Sequence, residues 1–205
     1  MFIVVEGLDG AGKTTAVKFI QALLEDLQIP HLITREPGGT PFAEAVRNVM
    51  LSDLNATSSD TTRLLLVSAA RRDHIEKVIR PALDAGKVVV CDRLHVSTLM
   101  YQPDAEYLDE LIALGLNNTL PDLVLVLDVD FETSKQRLTN RGADINHFDT
   151  TRAEVFNRRR KIALSYAHEE GSNCVVIDAS GSMDTVARKI DLVLQQRGVV
   201  PPFQE

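Results

Sequence analysis

Short, nearly unbroken apolar runs alternate along this chain with longer stretches in which apolar residues return every third or fourth position. The runs fall at residues 2–5, 32–34, 88–91, 123–127 and 174–177. Because they are apolar at consecutive rather than alternate positions, they predict strands covered on both faces. The periodic stretches are 15–28, 42–51, 62–85, 104–117, 131–140, 151–170 and 182–197. In the first of them Val17, Ile20, Leu23, Leu24 and Leu27 make one helical face. Strand–helix alternation from end to end predicts an α/β fold around a parallel sheet. No repeat, low-complexity tract or linker divides it, so residues 1–205 read as one domain with a frayed tail at Pro201 and Pro202.

Composition narrows the class. Hydrophobic residues are 44% and charged residues 25%, an ordinary globular balance. Twenty-two basic against 29 acidic residues leave a net charge of -7. A chain so charged gains nothing from non-specific attraction to a phosphate backbone, which argues against a nucleic-acid partner. The two cysteines, Cys91 and Cys174, sit in apolar runs and read as small buried hydrophobes in a reducing compartment. No CxxC or HExxH metal grouping occurs. No apolar run approaches the roughly 18 residues of a membrane span, and the opening residues lack a basic, long-cored leader. The expectation is a cytoplasmic protein with no membrane partner.

The first chemical signal is Gly7-Leu8-Asp9-Gly10-Ala11-Gly12-Lys13-Thr14, which fits G-x-x-x-x-G-K-[ST] and is followed by Thr15. It lies directly after a predicted strand and before a predicted helix, where its mechanism requires it. Glycines let the backbone curl until its N–H groups face an anion at the positive end of the helix dipole. Lys13 would then reach the β- and γ-phosphates of a nucleoside triphosphate, and the Thr14 hydroxyl would ligate Mg²⁺. A P-loop alone does not separate kinases from GTPases and motors, although no N-K-x-D guanine motif is present. Two more clusters, Arg35 to Thr40 and Asp92-Arg93, fall at the C-terminal ends of the second and third predicted strands. Open parallel sheets bind ligands at that edge.

Taken together, Glu6 to Thr15, Arg35-Glu36-Pro37-Gly38-Gly39-Thr40, Ala69-Ala70-Arg71, Asp92-Arg93, and Ser97-Thr98 through Tyr101-Gln102 resemble bacterial-type thymidylate kinase, a P-loop nucleoside monophosphate kinase family. The order and spacing agree from residue 2 to about residue 180. The resemblance implies a five-stranded parallel sheet flanked by helices, a small lid at about 137–150 and a homodimer. It implies transfer of the ATP γ-phosphoryl to dTMP, giving dTDP and ADP, with Mg²⁺. By matching position, it implies that Gly7, Asp9, Gly10, Ala11, Gly12, Lys13, Thr14 and Thr15 bind ATP. On the acceptor side it implies that Asp9 lies near the 3′-hydroxyl, that Arg93 and Arg47 grip the phosphate, and that Arg35, Glu36 and Pro37 line the same site. Arg71 would donate to a base carbonyl, Ser97, Thr98 and Gln102 would border the base, and Tyr101 would lie under the deoxyribose. Asp92, and Glu36 through water, would order the metal's shell beside Thr14. The P-loop holds no arginine, so the catalytic arginine is expected in the lid, at Arg137 or Arg141. In the run Arg158-Arg159-Arg160-Lys161, Arg158 is the residue expected to face phosphate and the rest a solvated face.

The chain also departs from the family pattern. Val67 stands where an aromatic residue usually stacks on thymine, and Ala70 replaces a small polar residue. Leu94 follows Asp92-Arg93 in place of an aromatic or histidine, Pro103-Asp104 follows Gln102, and the lid reads Gly142-Ala143-Asp144-Ile145-Asn146. Phosphate-handling positions match better than base-handling ones, so base selection is expected to be relaxed, with dGMP or a modified pyrimidine nucleotide accepted beside dTMP. From another class, a polynucleotide 5′-kinase would also need a P-loop and acceptor arginines; the acidic charge weighs against it.

Overall fold

The computed structural model describes residues 1–55, 57–141, 152–169 and 171–202. Five strands, β1 (Phe2–Gly7), β2 (His31–Arg35), β3 (Val88–Asp92), β4 (Leu123–Asp128) and β5 (Cys174–Asp178), form one parallel sheet in the order β2-β3-β1-β4-β5. All five lie on the predicted apolar runs. Between them run helices α1 (Lys13–Asp26), α2 (Pro41–Leu51), α3 (Asp60–His74), α4 (Arg80–Asp84), α5 (His95–Tyr101), α6 (Leu108–Leu116), α7 (Phe131–Arg141), α8 (Ala153–Ala167) and α9 (Met183–Gln196).

Central β1 is buried at every position and β4 at all but its last, which is why those two runs are apolar without a break. The edge strands β2 and β5 are only part-buried. Helix α1 lies against β1, β2 and β3 and packs on α9, whereas α5 and α8 pack together over β1, β4 and β5. The connection from β1 runs to one side of the sheet and that from β3 to the other. The C-terminal ends of β1 and β3 therefore flank the crevice where such sheets bind ligands.

Two elements differ from expectation. The stretch 62–85 is not one α-helix: a π turn, Ile75–Ile79, separates α3 from α4. Pro81, just inside α4, has no N–H to give to the turn before it, and a widened turn accommodates that gap. Helix α5 lies in a segment whose pattern predicted no helix. Its N-terminal amides are held from elsewhere: Leu94 N and Ser97 N both donate to Glu6 Oε1, at 2.7 and 3.0 Å.

Candidate active site

Between β1 and α1 the backbone turns through Gly7, Gly10 and Gly12, all with positive φ, and Gly12 caps the helix. Gly10 is the position with least freedom. Its φ is +79°, and a Cβ there would meet the Ser134 carbonyl oxygen at 2.7 Å. Ser134 Oγ in turn donates to the Asp9 carbonyl oxygen at 2.7 Å, so α7 props the loop from outside. Lys13 is folded back over the cradle, its Nζ donating to Leu8 O at 2.9 Å and lying 3.8 Å from Asp9 Oδ1. Burial, with Arg93's charge beside it, lowers the Lys13 pKa to about 8, against the opposing pull of Asp9, Asp92 and Glu6. Thr14 and Thr15, in the first turn of α1, are exposed.

Arg93 leaves the end of β3 in the left-handed region, at φ +74°, and turns its guanidinium back onto the P-loop. It donates to Gly7 O at 3.2 Å, to Ser97 Oγ at 3.1 Å and to Asp9 Oδ1 at 2.5 Å. The Tyr101 hydroxyl donates to the other Asp9 oxygen at 2.8 Å. Burial by itself would raise the Asp9 pKa; the charges of Arg93 and Lys13 and the Tyr101 hydrogen bond outweigh it and hold the value at about 2. Asp9 is thus an ionised pivot joining the P-loop, β3 and α5.

From that pivot a cavity of about 150 Å³ runs inward, lined by Asp9, Pro37, Arg47, Arg93 and Tyr101 at one end and by Val67, Arg71, Leu94, Thr98 and Gln102 at the other. Arg71 closes the inner end. Its Nε donates to Glu36 Oε2 at 2.7 Å, and its Nη2 donates to Leu94 O at 3.0 Å and to Thr98 Oγ1 at 2.9 Å. Its Nη1 is buried without a protein partner. A buried donor left open costs on the order of 1–3 kcal/mol, the mark of a group held for a ligand. Arg47 reaches the cavity from α2, donating to Pro37 O at 3.1 Å across the cis Glu36–Pro37 bond.

Eleven of the twelve residues expected on the acceptor side, namely Asp9, Glu36, Pro37, Arg47, Val67, Arg71, Arg93, Ser97, Thr98, Tyr101 and Gln102, line this cavity. Arg35 does not. It sits half-exposed at the surface, paired with Glu44 at 3.0 Å, because the last residue of β2 points away from the crevice while Glu36 points in. Both oxygens of Glu36, the residue expected to order the metal's shell through water, already accept one hydrogen bond each, from Arg71 and from His74. Arg137 spends its guanidinium on backbone carbonyls, of Gly10 at 3.4 Å and of Ala179 at 2.9 Å, tying the P-loop to the turn after β5 rather than facing the cavity. The Arg141 side chain and lid residues 142–150 lie outside the described residues.

The basic run on α8 resolves into separate partners. Arg158 bridges exposed Asp104 at 2.7 Å, and Arg160 grips Asp128 with two hydrogen bonds. The side chain that reaches the site is Arg159, its guanidinium 4.4 Å from the centre of the Tyr101 ring. Sequence reading chose the neighbour because a run of four cations carries no sign of which one the helix turns inward. Met50, Leu51 and Leu94, the apolar wall of the cavity, were also missed; the helical face of α2 was the only available hint.

The residues present fit a magnesium ion carried in on the triphosphate. Asp92 Oδ1 is buried with no hydrogen-bond partner, Thr14 is exposed in the first turn of α1, and Asp92 lies close enough to Lys13 for its charge to oppose the lowering of that lysine's pKa. Among the described residues no three His, Cys, Asp or Glu side chains gather into a metal cluster, so most of the ion's ligands would come from phosphate and water.

Residues 5–190 match the thymidylate kinase family model. The chain is 38% identical over 198 residues to a thymidylate kinase of Marinomonas sp. (strain MWYL1), covering 93% of this chain and 92% of that one. It is 39% identical over 199 residues to a thymidylate kinase of Syntrophotalea carbinolica, with 92% of each covered. The crystal structure of thymidylate kinase from Ehrlichia chaffeensis superposes with a TM-score of 0.76 at 30% identity, covering 95% of this chain and 98% of that one.

Proposed function

The chain belongs to the thymidylate kinase family, and from that membership we infer that it is an ATP-dependent phosphotransferase that makes dTDP and ADP from dTMP and ATP. The observation that carries the reading is the cavity itself. It opens at the P-loop on Arg93 and Arg47 and ends on the unpartnered Arg71 Nη1, the polarity a nucleoside monophosphate presents from phosphate to base. An oxygen of the acceptor phosphate attacks the γ-phosphorus of ATP, the bond from that phosphorus to the β-bridging oxygen breaks, and ADP leaves with the electron pair. The attacking oxygen is already ionised, so no general base is required; positioning and charge neutralisation carry the rate.

Within that scheme the P-loop amides and Lys13 would hold the β- and γ-phosphates. Arg93 and Arg47 would hold the acceptor phosphate with planar, two-oxygen contacts. Thr14 and Asp92 would hold Mg²⁺, directly and through water, and the ion would neutralise charge between the β- and γ-phosphates. Tyr101, pinned to Asp9, would lie against the sugar. The comparisons favour neither a polynucleotide kinase nor another base as main acceptor. Val67 in the cavity wall supports tolerance of dGMP beside dTMP, since valine leaves the slot without the ring that would narrow it to a pyrimidine.

A homodimer fits the outer face made by α2, α3 and α6, which pack in that order and expose Phe42, Val49, Leu65 and Leu114. Light scattering on the purified protein tests it. Among the described residues no helix is long and apolar enough to cross a membrane; with two free thiols, Cys91 buried and Cys174 part-buried, a reducing cytoplasm is the compartment that fits. An ADP-release assay over dTMP, dUMP, dGMP, dCMP and dAMP tests the function. Turnover should be fastest with dTMP, and failure to use dTMP at all would overturn the reading.

A further inference from the structure

Arg71 can aim its open Nη1 at a base only if the rest of its guanidinium is fixed, and of the three groups it donates to among the described residues Glu36 alone is charged. Glu36 is itself fixed from behind. Its second oxygen, Oε1, lies 3.2 Å from His74 Nδ1, and the far nitrogen of that ring, Nε2, lies 2.7 Å from Thr34 Oγ1. His74 is fully buried and has no room to move. Gly39, at φ +84°, packs so closely that a Cβ there would run into the imidazole and come within 2.9 Å of Thr34 Oγ1.

The chemistry of the chain sets its proton order. Burial would raise the Glu36 pKa, but Arg71 and His74 outweigh it and keep the carboxyl ionised, so that it only accepts. His74 Nδ1 must then carry the hydrogen, and in the neutral ring Nε2 accepts from the Thr34 hydroxyl. Each step from Thr34 through His74 and Glu36 to Arg71 is hydrogen-bonded, and Arg71 Nη1, at the ligand end, is left without a protein partner.

We propose that His74 is a positioning residue for base recognition, holding Glu36 so that Arg71 directs its free N–H at a carbonyl on the edge of the acceptor base. The proposal rests on the reading of this cavity as the nucleoside monophosphate site. It assigns to a residue that touches no substrate the discrimination between a base with a carbonyl at that edge, such as thymine, and one with an amine there, such as cytosine. An amine would bring donor against donor, the mismatch that polar sites reject most strongly.

Two substitutions of one residue separate positioning from packing. The side-chain amide of asparagine falls near the place of Nδ1, whereas that of glutamine falls near Nε2. His74→Asn therefore keeps a donor for Glu36 and drops Thr34; His74→Gln keeps Thr34 and drops Glu36. Steady-state kinetics with dTMP and dCMP, alongside thermal melts, give the readout. His74→Gln should raise the dTMP KM about tenfold or more, with a smaller fall in kcat, and should reduce the dTMP:dCMP ratio of kcat/KM by a similar factor, the scale of one lost hydrogen bond to a charged group. His74→Asn should keep that ratio within about threefold at a similar melting temperature.

The inference is overturned if folded His74→Gln keeps the wild-type ratio, or if both variants lose it equally. Should His74→Gln not fold, His74→Phe carries the test, since it keeps a buried ring but removes the N–H given to Glu36 and should lower the same ratio in the same direction; an unchanged ratio there also overturns it. If wild type does not phosphorylate dTMP, it is the assignment of the cavity that fails, whereas an active wild type with an indifferent His74→Gln strikes only the relay.

Discussion

The alkaline limb of ATP capture should belong to Lys13. Its ammonium is 8% exposed and is placed among Arg93, Asp9, Asp92 and Glu6, where burial and Arg93 bring its pKa to about 8 from the usual 10.5. The pH dependence of kcat/KM reports the free enzyme. With ATP as the varied substrate, kcat/KM should therefore fall about tenfold per unit above pH ~8, as Lys13 loses the charge that meets the triphosphate. At saturating ATP the limb should move to higher pH, because bound phosphate oxygens favour the ammonium. No neighbouring group competes in that window: burial pushes the Tyr101 hydroxyl well above its usual range and raises the Cys91 thiol, while it brings His95 down to about 3.

The same shift has a sign in stability. Between pH ~8 and ~10.5 the unfolded chain holds a proton on this lysine that the folded chain has lost, so Lys13 contributes stability to the nucleotide-free protein that grows with pH across that interval. The raised Cys91 thiol and Tyr101 hydroxyl work the other way above pH ~9 and ~10. A depression of this size corresponds to about 3 kcal/mol, which Lys13 costs the empty enzyme at neutral pH and which bound ATP relieves. Lys13→Met should remove both the limb and the Lys13 contribution to the stability gradient, measured by denaturant melts at pH 7.5 and 9.5. Lys13→Ala should lower turnover at least about a hundredfold, on the order of 3 kcal/mol, in a protein that still folds. A wild-type profile flat to pH 10, or the same limb in Lys13→Met, would refute the reasoning.

Three further outcomes are expected. Val67→Phe should put a ring into the cavity wall and narrow use towards dTMP, improving its kcat/KM by the roughly 1–3 kcal/mol of a base–aromatic stack and depressing dGMP; a wild type that rejects dGMP as fully as dAMP would remove the wide-slot idea. Arg159→Ala strips the cation from the face of Tyr101, a contact worth about 0.5–2 kcal/mol. It should raise the dTMP KM and weaken the preference for deoxyribose over ribose, read by comparing dTMP with its ribonucleotide, and an unchanged ratio would show that Arg159 does not bear on the sugar. Gly10→Ala drives a methyl against the Ser134 carbonyl at a φ alanine resists, so it should abolish measurable ATP binding by calorimetry and lower stability by ~1 kcal/mol or more.

The local pattern along the chain carried the fold. Five apolar runs are the five strands, because a strand covered on both faces has no polar position to spare, and that requirement is written in consecutive residues. The phosphate cradle was legible for the same reason: a curl of backbone N–H groups is made by neighbours, and Gly7 to Thr14 contain all of it. The lining of the acceptor cavity was legible through resemblance, down to Arg71 and Tyr101.

What the sequence left open depended on partners far apart in number. Helix α5 exists where its own periodicity is weak because a carboxylate on β1, Glu6, caps it from 88 residues away. Arg71 points into the cavity because His74 and Glu36 hold it there, Arg159 rather than Arg158 turns inward to the Tyr101 ring where α8 packs on α5, and Arg35 faces Glu44 because it points away from the crevice that the next residue, Glu36, enters. Each of these choices is a matter of direction. A side chain's type is set by the sequence, but where it points is settled by the few hydrogen bonds and packed neighbours that folding brings within a few ångströms of it.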